Sequence, residues 1–179
     1  TEQGDHLTSD SETVAQRFQN AGYRTVCLAA NPWVSRGSGL DIGFEEFYNI
    51  DEDRSLLREV GWKHAFKFAT RVRSLGGGFT RDEVKHPTDW LMISLAKRWL
   101  DMDTSSDSPT FMYLHTKGVH KVDDDFYPPP AWRGRITPNQ SLDDRYDDLL
   151  AWVDHQWPRL EESIDEETIV VVTSDHGEL

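Results

Sequence analysis

Residues 9–30 read SDSETVAQRFQNAGYRTVCLAA. The opening Ser and Asp are helix-capping types, Glu12 falls in the first turn, and Val14, Ala15, Phe18 and Ala21 recur at helical spacing. Gly22 stops the helix, and "RTVCLAA" follows as a short buried strand closed by the Asn31-Pro32 turn. A helix, a tight turn and an apolar strand make one unit of an α/β sheet.

The same alternation continues along the chain. The stretch NPWVSRGSGLDIGFEEFYNI (31–50) reads as loop, since Gly37, Gly39 and Gly43 break any period. A helical stretch is expected over residues 54–75, ending at the three glycines 76–78. In HPTDWLMISLAKRWLDMD (86–103), Pro87 suits a first turn, and Trp90, Leu91, Leu95, Trp99 and Leu100 form an apolar face. PTFMYLHT (109–116) reads as a buried strand, and residues 117–138 are too rich in Gly and Pro for regular structure. A further helix is expected over 139–163, with Leu142, Tyr146, Leu149, Leu150, Val153, Trp157 and Leu160 on one side. Pro158 should kink it or end its regular part. Then ETIVVVTS (167–174) gives a continuous apolar run, as for a strand at the centre of a sheet covered on both faces. Strands separated by helices favour a three-layer α/β/α fold with a largely parallel sheet, read as one domain over residues 1–179.

Composition narrows the function classes. Hydrophobic residues make up 37% of the 179, with seven Trp, which is enough for a real core. No apolar run approaches the roughly 18 residues of a transmembrane helix. The single cysteine, Cys27, excludes an internal disulfide, and its apolar neighbours mark a buried structural thiol rather than a nucleophile. Thirty-two acidic residues against nineteen basic ones give a formal charge of −13, which disfavours nucleic acid and anionic membranes as partners. The acids are spread in clusters rather than gathered into a tail. That distribution resembles proteins of salt-loving archaea, whose self-repulsion is screened in concentrated salt.

In open parallel sheets, functional groups gather just past the carboxyl ends of the strands. Two strands deliver polar residues in that way. "FMYLHT" leads to Lys117 and His120, and "IVVVTS" leads to Asp175 and His176. Asp is a hard anionic ligand, and neutral imidazole offers a further donor to a divalent cation. Gly177 allows the chain to turn sharply after them. Taken alone, "DHG" also fits an Asp capping the next helix. His115 and His120 also fit hydrogen-bonded packing, and Lys117 a solvated loop cation.

In sequence order, these segments resemble the sulfatase family of the alkaline-phosphatase superfamily. TVAQRFQNAGYRTVCLAANPWVSRGSGLDIGFEEF is similar to the family's helix and strand ending in a GF-x-x-F phrase. PTFMYLHTKGVHKVDDDFYPPP resembles its strand of the form F-x-x-x-H-x-x-x-P-H, followed by a tyrosine and prolines. YDDLLAWVDHQWPRLEESIDEETIVVVTSDHGE resembles its helix and the strand to SDHGE, the most specific of these stretches.

The resemblance implies an alkaline-phosphatase-like fold, incomplete at both ends, and a sulfuric ester hydrolase. Asp175 and His176 match the pair that ligates the divalent metal. That metal is usually calcium, with magnesium, manganese or zinc in relatives. His120 matches the histidine that contacts the ester oxygens and assists the leaving group, although Val119 stands where the family commonly has proline. His115 aligns with a histidine of supporting role. The implied chemistry has a metal and cationic groups holding a tetrahedral oxyanion while a hydroxyl held on that metal attacks sulfur or phosphorus.

Two further acidic ligands, the C/S-x-P-S/A-R phrase whose Cys or Ser becomes formylglycine, and a later basic residue have no match. The chain therefore reads as the middle of a longer enzyme, inactive by itself, acting on a small-molecule or glycan sulfate ester. A phosphodiester or phosphonate ester hydrolase or a phosphotransferase of the same superfamily is the alternative. A non-catalytic binding module is the alternative from another class.

Overall fold

A computed structural model describes residue 7 and residues 12–49, 88–102, 108–117, 119 and 141–177. The first helix, α1, spans Val14–Asn20. Its cap is Thr13, not the earlier Ser or Asp, so Glu12 precedes the helix rather than lying in its first turn. The Thr13 hydroxyl accepts from the Gln16 amide at 3.0 Å, and the Gln16 side chain accepts from the Thr13 amide at 2.8 Å. This reciprocal pair satisfies two amides that a helix start leaves open.

At the other end Gly22 takes a φ of 86°, which lets the Tyr23 amide reach back to the Phe18 carbonyl at 3.0 Å. The Tyr23 ring then meets the Phe18 ring edge-on, 5.0 Å between centroids. Ala15 is buried, whereas Val14 and Ala21 face solvent.

Three parallel strands follow, β1 (Arg24–Ala29), β2 (Glu46–Asn49) and β3 (Thr110–His115), in the order β2-β1-β3. β1 is the centre, and its residues from Thr25 onward are buried. β2 corrects the reading of 31–50 as loop throughout. Its four residues alternate, with Phe47 and Asn49 buried and Glu46 and Tyr48 half-buried. β3 is half-buried rather than buried, with Tyr113 exposed.

Alternation along β1 splits the core between the two faces of the sheet. On one face Cys27, Ala29 and Phe47 pack with Val34 and Phe44. Phe18 of α1 stacks there on Phe111 of β3, 4.2 Å between centroids. On the other face Val26, Leu28 and Ala30 meet α2 (Thr88–Met102), through Met92, Ile93, Leu95 and Ala96. Trp99 and Leu100 join as expected, while Trp90 and Leu91 have side chains outside the described residues. α3 (Leu142–Glu161) packs against α2 and adds Leu160 to the same cluster. Helices on both faces of a parallel sheet are the three-layer α/β/α architecture that the sequence predicts.

α3 begins at Ser141, whose hydroxyl accepts from the Asp144 amide at 3.1 Å. Leu149, Trp152, Gln156 and Leu160 form its buried stripe, rotated from the expected one so that Leu150 is exposed. Pro158 lies inside the helix, which continues to Glu161. Its missing amide would have met the carbonyl of Asp154, a residue on the exposed side of the helix.

The largest departure concerns residues 168–174. They form no strand, and Ile169, Val171 and Val172 are exposed, Ile169 by 90%. A strand requires a hydrogen-bonding neighbour, and among the described residues none pairs with this run. An apolar run read as central to the sheet is instead an irregular segment that follows a turn at Asp165. There the Asp165 carboxylate accepts from the Thr168 hydroxyl at 2.6 Å and from the Glu167 amide at 3.1 Å. The helix expected over 54–75 lies outside the described residues.

Candidate functional site at the carboxyl edge of the sheet

The carboxyl edge begins where β1 and β3 finish together. The Ala30 amide donates to the His115 carbonyl at 3.1 Å, so the loop after β1 starts beside His115. Asn49, fully buried at the end of β2, fastens that loop. Its amide donates to the Asn31 carbonyl at 2.8 Å and to the Val34 carbonyl at 2.7 Å. Sequence reading passed over Asn49. The available signal was a lone amide ending the alternating "EFYN", where a core position would otherwise be apolar.

Asp175 and His176 arrive on the irregular segment after residue 167, with side chains 71% and 60% exposed. The Asp175 carboxylate accepts from the His176 amide at 2.9 Å. That bond is the leading cause that holds the carboxyl below the ordinary aspartate range, and the nearby His115 charge adds to it. Burial raises the Tyr113 phenol, and the Asp175 charge is among the smaller causes in the same direction. The Asp175 charge thus acts on, and is acted on by, side chains of β3.

The His176 ring is oriented by its neighbour. Its Nδ1 stands 2.7 Å from the Gly177 carbonyl oxygen. A carbonyl only accepts, so Nδ1 carries the proton, and a neutral ring then keeps its lone pair on Nε2. That Nε2 lies 3.7 Å from Asp175 Oδ2. Two acceptors so spaced can share one divalent ion at metal–donor lengths of about 2–2.6 Å. An anionic oxygen with an imidazole nitrogen suits calcium, magnesium, manganese or zinc. Among the described residues no group of three or more His, Cys, Asp or Glu side chains surrounds one point.

His120, the sequence's choice for assisting the leaving group, lies outside the described residues. Cys27 is buried, and desolvation pushes its thiol up to about 12, so it carries no thiolate at neutral pH. Among the described residues no helix is long and apolar enough to cross a membrane.

No curated protein and no solved structure matches the chain. A family model does, from residue 1 to residue 179, and it is that of the sulfatases. The match covers the helix–strand unit, the GF-x-x-F phrase, the strand to His115 and the Asp175–His176 turn together. The chain belongs to the sulfatase family, hydrolases of the alkaline-phosphatase superfamily.

Proposed function

We propose that the chain supplies part of the active site of a metal-dependent sulfatase that cleaves sulfate monoesters of a small molecule or glycan. In it Asp175 and His176 hold the divalent cation, most simply calcium, and His120 serves the leaving group. The observation that carries this reading is the pairing of Asp175 Oδ2 and His176 Nε2, 3.7 Å apart, with the imidazole turned by Gly177 so that Nε2 is the available donor. A cation bound there contributes positive charge against the oxygens of the transferring group.

The chain's own residues do the rest. Asp175 stays ionised because the His176 amide hydrogen-bonds its carboxylate. The Gly177 carbonyl fixes the ring tautomer. His120 donates a proton or hydrogen bond to the departing alcohol oxygen. The nucleophile is a formylglycine contributed by residues other than these 179, since no C/S-x-P-S/A-R phrase occurs among them and Cys27 is buried and protonated.

Calcium titration and ester hydrolysis by the intact enzyme test the proposal. Sulfate monoesters should be cleaved in a cation-dependent way. Second-shell partners alone alter metal affinity about 10–100-fold, so Asp175→Ala should weaken calcium by about a hundredfold or more. Absence of cation binding, or preference for phosphate diesters over sulfate monoesters, would overturn it.

A further inference from the structure

Trp33 is the most exposed aromatic side chain among the described residues, at 75%. A single apolar side chain at a surface is ordinary. What sets Trp33 apart is the rigidity of its support. Its amide donates to the Asn31 side-chain oxygen at 3.0 Å, and its carbonyl accepts from the Ser38 hydroxyl at 2.7 Å. The Val34 amide donates to the Asn31 carbonyl at 3.0 Å, and the buried Asn49 amide clamps the carbonyls of Asn31 and Val34 on either side. Pro32 fixes one more backbone angle. The loop is thus ordered before any ligand arrives, while the indole it carries is left bare.

Position adds to this. Trp33 stands three residues beyond Ala30, whose amide bonds the carbonyl of His115 at the carboxyl edge of the sheet. Most of the indole face is apolar and presents no charge to an ester oxygen. It suits a flat or CH-rich ring, which loses little freedom on meeting a surface already held in place. The protein's charge of −13 makes such a contact useful, because long-range electrostatics repels an anionic ester. Binding energy then has to come from the uncharged half of the substrate.

We propose that Trp33 is a stacking platform for a ring in the alcohol half of the ester, an arene or a pyranose. This deepens, and rests on, the reading of Asp175–His176 as part of an ester-cleaving centre.

The test compares phenyl sulfate, glucose 6-sulfate and ethyl sulfate on the intact wild-type enzyme, Trp33→Ala and Trp33→Phe. Trp33→Ala should lower the preference for a ring ester over ethyl sulfate by roughly three- to tenfold, the change lying in KM rather than kcat. Trp33→Phe should retain most of it. Whether the loss falls on phenyl sulfate or on the glucose ester identifies the ring. An unchanged preference, or an equal loss on ring and ethyl esters, overturns the platform. If the wild-type enzyme cleaves none of the three, the hydrolase reading fails, and calorimetric binding of the same compounds then decides the platform. A preference for ring compounds that vanishes in Trp33→Ala upholds it, and equal dissociation constants overturn it.

Discussion

Gly43 lies against Gln16 at the first turn of α1. With φ at 92°, a β-carbon there would overlap the Gln16 amide nitrogen and stand 2.7 Å from Gln16 Cγ. The neighbouring carbonyls are tied down as well: the Thr13 hydroxyl donates to Ile42 at 2.9 Å, and the Thr25 hydroxyl donates to Gly43 at 2.7 Å. The glycine of the GF-x-x-F phrase is therefore a contact between the α1 cap and the loop, while Phe44 and Phe47 pack behind it. Gly43→Ala combines overpacking with backbone strain and should cost about 2–4 kcal/mol in unfolding free energy. Denaturant titration checks this. A change below about 0.5 kcal/mol, the usual surface value, would mean that the approach is not tight.

Glu46 gathers three donors on one carboxylate. Arg24 and Tyr48 each reach it at 2.9 Å, and the Trp99 indole at 3.1 Å, so α2 is pinned to the sheet across its edge. Arg24 also lies over the Trp99 ring, 4.9 Å from its centroid. Burial alone would raise the Glu46 carboxyl. The bonds from Trp99, Tyr48 and Arg24, with the Arg24 charge, outweigh it and hold the group below its ordinary value. A carboxyl depressed in the folded state contributes its full stability above the unfolded value, and that contribution fades as pH falls through the folded one. Glu46→Gln should therefore cost about 1–2 kcal/mol at neutral pH. Its stability should converge with that of wild type as the pH drops below about 4. Parallel unfolding curves from neutral pH down to the acid limb test the sign, and a gap that widens in acid would contradict it.

The comparison of sequence and structure turns on what each signal depends on. β1 and α2 were legible because an apolar period in each is covered by a partner the period itself implies. β2 was hidden because four residues carry too little period, and its Glu46 looks like a surface acid until Arg24, Tyr48 and Trp99 are seen around it. Residues 168–174 were misread for the opposite reason. Their run of Ile and Val is a strong local signal, but burial is a relation between segments. The Asp175–His176 turn does not depend on that pairing, because its geometry is local: one amide, one carboxylate and the Gly177 carbonyl. The long-range part of the site was not legible, since no spacing reveals that Asn49 clamps the loop that carries Trp33.

The exposed run makes its own prediction. Val171 and Val172 are exposed and outside any strand of the described residues, so Val171→Thr with Val172→Thr should alter the stability of the 179-residue chain by no more than about 0.5 kcal/mol per site. Amides 169–174 should exchange with solvent quickly, as unpaired backbone does. The same substitutions should reduce self-association, because a bare β-branched segment invites pairing with another chain. Hydrogen exchange and sedimentation velocity measure both. Strong protection of these amides in the monomer would show that the run is paired.

Salt should act on this protein in the direction opposite to its usual effect on surface ion pairs. The excess of acid lies on exposed faces: Asp143, Asp144, Asp147, Asp154, Glu161 and Glu162 of α3 and its end all meet solvent. Some ion pairs do oppose it. Lys97 lies 3.4 Å from Asp101 and 4.0 Å from Glu162, and Arg17 lies 2.9 Å from Glu12. Such exposed pairs are worth about 0–1 kcal/mol each, and screening weakens them. Repulsion among like charges reaches further than a contact pair, and at 1 M salt the screening length falls to about 3 Å. With a net charge of −13, more repulsion than attraction is removed, so the folded state gains. The melting temperature should therefore rise steadily between low salt and molar KCl. Potassium glutamate and KCl at equal ionic strength should act alike if screening is the cause. A melting temperature that stays flat or falls would mean that the acidic surface is an ordinary solubilising one.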